Sequence, residues 1–280
     1  MSAPAPGWNL DPLELAAVAL AAALYWRRAA TLAARGRPVP RRRVVAFASG
    51  LALVLVALVS PVDTIGEERL FSMHMFQHLL LGDAGALLLV LGLDGRLLRP
   101  LLTTRVVHRL RVLAHPLVAL PLWAVDFCAW HVPALFDAAL RSNAVHALQH
   151  SLFVACGMLL WAALLEPLPG PAWFSAPWKL PYVFCMWLVM LVLSQIFIWS
   201  GHPYYEPYLH DPTLWGLSHL DDQKAGGGVM LVESALTMLP AFVWVLLGVF
   251  RESEARQQLL DAGVPARTAA RAARYGRATV

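Results

Sequence analysis

The chain has 280 residues, of which 59% are hydrophobic and only 14% charged, with a mean hydropathy of +0.58. Soluble domains carry charge on about a quarter of their residues, so a water-soluble globular fold is excluded; no Walker loop, nucleophile elbow or dinucleotide fingerprint is present either. The net charge of +4 and pI near 9.2 come from arginines gathered in a few connections and the tail, so they require no nucleic acid partner.

Seven windows approach or exceed the roughly 20 residues that cross a bilayer: 9–26, 44–61, 70–93, 112–130, 144–165, 180–200 and 226–250. Backbone amides in lipid must be satisfied within each segment. The expected fold is therefore all-α, a polytopic membrane protein of about seven spans over 1–250 followed by a basic tail over 251–280. The leading stretch "MSAPAPGWNLDPLE" has acids and no Lys or Arg, the reverse of a signal-peptide n-region. The first window is the weakest, because it holds Glu14 and ends at "WRR". Of the 22 Lys and Arg residues, all but Arg69, Arg141 and Lys224 fall in the first, third and fifth connections or after Phe250. The positive-inside rule then puts the N-terminus outside and the C-terminus in the cytoplasm. The tail reads as a solvated extension, with a helix on the anionic inner leaflet as the alternative.

The third window opens on "HMFQH", His74 to His78, and the fifth on "HALQH", His146 to His150. Asn143 is expected to cap the fifth helix. At 1.5 Å per residue, His74 and His78 then lie roughly 6 and 12 Å, and His146 and His150 roughly 5 and 10 Å, below the starts of their helices. Positions i and i+4 share a face, with Gln77 or Gln149 beside them, so four imidazoles converge if the two helices meet. His108 and His115 fall on the inner side, and the other eight histidines on the outer.

The fourth window ends in "DFCAWHVP" and brings Asp126, Cys128 and His131 to that side. The seventh is introduced by "SHLDDQKAGGGVM", with His219 and Asp222, and its glycines are read as permitting close helix contact. Between the sixth and seventh lies an aromatic segment, "SGHPYYEPYLHDPTLWG". It is expected to lie at headgroup level, anchored by Trp199, Tyr204, Tyr205, Tyr208 and Trp215. The three cysteines form no CxxC, so packing is their expected role.

A single intramembrane histidine is ordinarily interhelical glue worth about 0.6 kcal/mol. A repeated HxxQH at matched depth points instead to a functional site. Neutral imidazole suits copper, zinc and iron, and a thioether such as Met75 shifts the preference toward Cu(I). The candidate metal ligands are His74, His78, His146 and His150, with His131, Met75, Asp126, His219 and Asp222 as further candidates. Gln77 and Gln149 are candidate hydrogen-bond acceptors behind them. Haem held between two helices ranks lower, because paired histidines on each helix would crowd one macrocycle. HEXXH is absent and no paired acid and base is evident, so no enzyme is expected. A transporter in which Asp83 and Glu233 relay protons remains an alternative.

"HMFQHLLL" at 74–81, "WHVPALFDAALRSNAVHALQHSLF" at 130–153 and "DDQKAGGGVM" at 221–230 together resemble the CtaG family of cytochrome c oxidase assembly factors. This is the multi-spanning, caa3-associated group, distinct from the single-anchor copper chaperone of the same name. The chain departs from the family pattern at Gly82–Gly85, where a Pro-Pro pair is usual, and at Gln149, where Glu is common. The resemblance implies a protein of the bacterial cytoplasmic membrane that helps mature a respiratory oxidase, with copper delivery at the outer face as its task. The implied partners are oxidase subunits or other copper chaperones; a homodimer stays open.

Overall fold

The computed structural model describes residues 7–102, 104, 111–210 and 214–275, and these are helical with no strand among them. His108 and the arginines at 105, 109 and 277 lie outside the described residues. In chain order the helices are α1 (Pro12–Ala34), α2 (Arg41–Val59), α3 (Pro61–Glu68) and α4 (Phe71–Leu79). A π-helical segment, Leu80–Gly85, joins α4 to α5 (Ala86–Gly92). Then come α6 (Gly95–Leu102), α7 (Pro116–Ala129), α8 (Pro133–Arg141), α9 (Asn143–Leu165), α10 (Ala176–Ile198), α11 (His219–Asp261) and α12 (Ala266–Tyr275).

Six of these are long and apolar enough to cross a membrane, counting Phe71–Gly92 as one, and seven if α7 and α8 together form a span. The fourth expected window differs in kind, because its helix α7 is too short to span alone. Pro133 begins α8, and the residue before a proline is pushed out of the α region; Val132 is accordingly extended, and the two helices meet at 73°. The cap of α9 also differs from expectation, since Ser142 occupies that position without a side-chain hydrogen bond and Asn143 is already helical. The seventh window starts earlier and ends later than its apolar stretch, because α11 runs unbroken from His219 to Asp261 across the boundary expected at 250.

Helices α4, α5, α7, α9, α10 and α11 enclose one core and α1, α2 and α5 a second. Leu13, Leu20 and Leu24 of α1 stay exposed, as befits a lipid-facing helix at the edge of a bundle. Association in lipid relies on close packing and interhelical hydrogen bonds more than on hydrophobic burial, and the glycines show where. A Cβ on Gly157 of α9 would stand 1.9 Å from the Gly82 carbonyl of the π segment. On α11, a Cβ on Gly226 would strike the Phe71 ring at 2.5 Å and one on Gly227 the Ser194 carbonyl at 2.7 Å, whereas Gly228 has open space. Asp83, buried in the π segment, accepts from the Trp161 indole of α9 and the Thr237 hydroxyl of α11, each at 2.8 Å. A carboxylate in a spanning segment needs such partners, and here they tie three helices together.

Candidate metal centre

The HMFQH turn forms α4. Its first two amides would be orphans at a helix start; the Asp222 carboxylate, reaching from α11, accepts both, from Phe71 N at 2.7 Å and Ser72 N at 3.2 Å. A negative group at a helix N-terminus also suits the helix dipole. Asp222 therefore anchors the histidine-bearing helix from outside and does not join the cluster. The neighbouring Gln223 accepts from Tyr204 N at 2.7 Å and donates to the His202 carbonyl at 3.1 Å, holding one end of the aromatic segment.

Helices α4 and α9 run in the same direction and meet through their histidine rings. The His74 and His146 rings are 5.5 Å apart and those of His78 and His150 are 5.6 Å apart. The four are almost fully inaccessible, at 0%, 4%, 7% and 4% exposure for His74, His78, His146 and His150. One nitrogen from each of His74, His78 and His146 lies within 4.8 Å of the other two. His150 stands one turn further along α9, 4.0 Å from the His146 ring. Both ring nitrogens of His78 and of His150, and Nε2 of His146, make no hydrogen bond. Those of His74 are likewise unpaired, although the Gly66 carbonyl, which accepts from Tyr208 at 2.6 Å, lies near the ring. Buried polar atoms are ordinarily paired, so this concentration of unpaired imidazole nitrogens singles these histidines out as the candidate site.

Three carboxylates absent from the sequence-based set of site residues stand behind the motifs. Glu67 Oε1 is 2.6 Å from His146 Nδ1 and Glu14 Oε1 is 3.7 Å from His150 Nδ1. The Gln77 amide donates to Asp63 Oδ1 at 2.6 Å and to the Ala57 carbonyl at 3.0 Å, and Asn9 donates to Asp63 Oδ2 at 2.8 Å. Burial, reinforced by the nearby charge of Glu67, raises the Asp63 carboxyl to about 6, against the pull of its Asn9 and Gln77 hydrogen bonds. A carboxylate on the far nitrogen of a histidine fixes the ring and raises its basicity as a ligand. Glu67 fits that description for His146. Gln77 acts as a donor here rather than as the acceptor expected, and Gln149 is fully buried with neither amide atom paired. The signal in the sequence was the i, i+4 pair Asp63 and Glu67 on the short helix just before HMFQH, together with Glu14 inside an apolar window.

The remaining candidates form a separate group. His131 Nδ1 is 2.6 Å from the Phe127 carbonyl and its Nε2 is 3.3 Å from the Met75 sulfur. Phe153 lies between this pair and the cluster, with ring distances of 6.4 Å to His131 and 4.6 Å to His78. Met75 is turned about 100° from His74 around α4, which is why it meets His131 instead. Asp126 accepts from the Trp130 indole at 2.9 Å, and half-buried His219 stays at the start of α11 beside Asp222. The aromatic segment also departs from expectation. Trp199 and Trp215 are exposed at 81% and 71%, but Tyr205 and Tyr208 are buried at 2% and 6%. Tyr205 stacks on Phe136 at 3.9 Å and donates to the His131 carbonyl at 2.9 Å, so these tyrosines close one end of the bundle instead of resting among headgroups.

Apolar helices of this number and length define a multi-pass membrane protein, and the buried histidines place it among those carrying a polar site within the bundle. Residues 23–252 match the family described as cytochrome c oxidase caa3 assembly factor, and the chain belongs to that family. Uncharacterised proteins of Mycobacterium bovis and Mycobacterium tuberculosis are each 27% identical to it over 262 residues, covering 85% of this chain and 38% of theirs. The chain thus spans well under half the length of these curated relatives. No solved structure matches it.

Proposed function

We propose that this chain binds copper, as Cu(I), at His74, His78 and His146 and delivers it during maturation of a cytochrome c oxidase. The observation that carries the reading is the convergence of three buried imidazole nitrogens within 4.8 Å, on rings with unpaired nitrogens. Glu67 supports it too, supplying on His146 the acceptor that a ligating imidazole ordinarily has. His150 and the Met75–His131 pair lie close enough to take part in transfer. Copper is cargo here, and the protein has no turnover of its own; its partners are oxidase subunits or another copper chaperone. On this reading the cluster faces the outer side of the bacterial cytoplasmic membrane, which the positive-inside rule supports through the arginines gathered at the opposite end of the bundle.

Metal analysis of the purified protein tests this, comparing wild type with His78→Ala and with His115→Ala on the opposite side. Copper should be retained by wild type and His115→Ala and lost from His78→Ala. Equal copper in all three would sink the site, and a Soret band in the wild type would mean haem instead.

A further inference from the structure

We infer that the cavity between the end of α11, α12 and the segment 170–177 binds the phosphodiester headgroup of an anionic phospholipid. The cavity has a volume of about 680 Å³, within the range of small-ligand pockets. Arg256 of α11 and Arg267, Arg271 and Arg274 of α12 line it. Residues 267 and 271 are four apart and share a helix face, and α12 turns the opposite, alanine side inward, burying Ala269 and Ala272.

Arg274 is committed to structure. It pairs with Glu166 at 2.8 Å, donates to the Phe174 carbonyl at 2.9 Å and also reaches the Ala172 carbonyl, which fixes α12 against the bundle. Glu252, the one acid on the wall, accepts from the Ala176 amide at 3.1 Å. The side chains of Arg256, Arg267 and Arg271 make no hydrogen bond or ion pair with any other described residue. Three guanidiniums around one pocket repel each other unless an anion lies between them, and guanidinium geometry matches phosphate oxygens.

The position in the fold selects a lipid over a soluble phosphate. Helix α11 has 43 residues, about 64 Å at 1.5 Å per residue, roughly twice a 30 Å hydrocarbon core. The pocket lies where its apolar stretch gives way to charge, between Val249 and Arg256. Trp173 and Trp178 are exposed in the segments that form this wall, as interfacial aromatics are. Basic pockets between spanning helices take up anionic headgroups at such a level. Arg256, Arg267 and Arg271 lie beyond residues 23–252 of the family match, whereas the wall from Gly170 to Pro177 and from Val249 to Glu252 lies within it.

The test is native mass spectrometry of the full chain from micelles doped with equal phosphatidylglycerol and phosphatidylcholine. Wild type should retain phosphatidylglycerol preferentially. Arg267→Gln/Arg271→Gln should lose roughly tenfold or more of that preference, the scale expected of two charges at an anionic surface. Arg267→Lys/Arg271→Lys should keep much of it, with unchanged melting showing that both variants fold. Equal retention of the two lipids by wild type, or an undiminished preference in the Gln variant, overturns the proposal. So does displacement of phosphatidylglycerol by millimolar inorganic phosphate, which would make the ligand a soluble anion.

Discussion

At His146 two roles meet in one ring: Nδ1 faces Glu67 at 2.6 Å and Nε2 has no protein partner. If copper occupies the cluster, Glu67→Gln leaves all three ligands in place and removes only the charge that orients one of them. Affinity should then fall roughly 10–100-fold, as for other outer-layer partners, while copper per chain at saturation stays the same. Competition against a Cu(I) chelator measures both, and an unchanged affinity would reduce Glu67 to a surface acid. Asp63 gives a second check. Its folded carboxyl titrates near 6 against an ordinary value of 3.8. A raised carboxyl stabilises the fold while protonated, so that contribution is complete below the ordinary value and is lost as pH rises through about 6. Melting curves across pH 4 to 7 should therefore show wild type losing stability with rising pH relative to Asp63→Asn; parallel curves would contradict the burial. The motif histidines were legible in the sequence because polar groups in lipid are costly. Their carboxylate partners were visible only as acids near the motifs; that Glu67 meets His146 and Glu14 lies beside His150 depends on helix contacts that no local pattern encodes.

Among the elements, the helix types and most boundaries followed from apolar length, whereas the breaks depended on local chemistry. The π segment Leu80–Gly85 was invisible to periodicity, although its glycines were in view. A Cβ on Gly85 would stand 2.3 Å from the Leu80 carbonyl, so the widened turn and the glycine come together. π-bulges gather at functional sites, and this one begins two residues after His78. It also lets α9 approach, through Gly157 on the Gly82 carbonyl. Gly157→Ala should force these backbones apart and destabilise the protein by about 1–3 kcal/mol, the cost of an overpacked core. Because α9 carries His146 and His150, copper binding should weaken with it. Gly228→Ala, with nothing within 4 Å of the added carbon, is the control and should be silent in both. A silent Gly157→Ala would mean that the close crossing is not what sets the register of the two histidine helices.

For the molecule as a whole, sidedness decides what the histidine cluster can do. Helices α4 and α9 run in the same direction, with His74 level with His146 and His78 level with His150, so both motifs lie toward the same face of the bundle. Tyr205 and Tyr208 close that end, and the lysine and arginine residues are concentrated at the other, at Arg41–Arg43, Arg96 and Lys179 and beyond Phe250. Their bias predicts that the aromatic segment faces outside and the tail faces the cytoplasm. In a background with Cys128, Cys156 and Cys185 replaced by Ser, His202→Cys should react with a membrane-impermeant maleimide in intact cells. Ser253→Cys should react only after the membrane is opened. The reverse pattern would place the cluster at the cytoplasmic face, on the wrong side for the proposed delivery from outside. Delivery from outside would then be untenable, and a transport reading built on Asp83 and Glu233 would take its place.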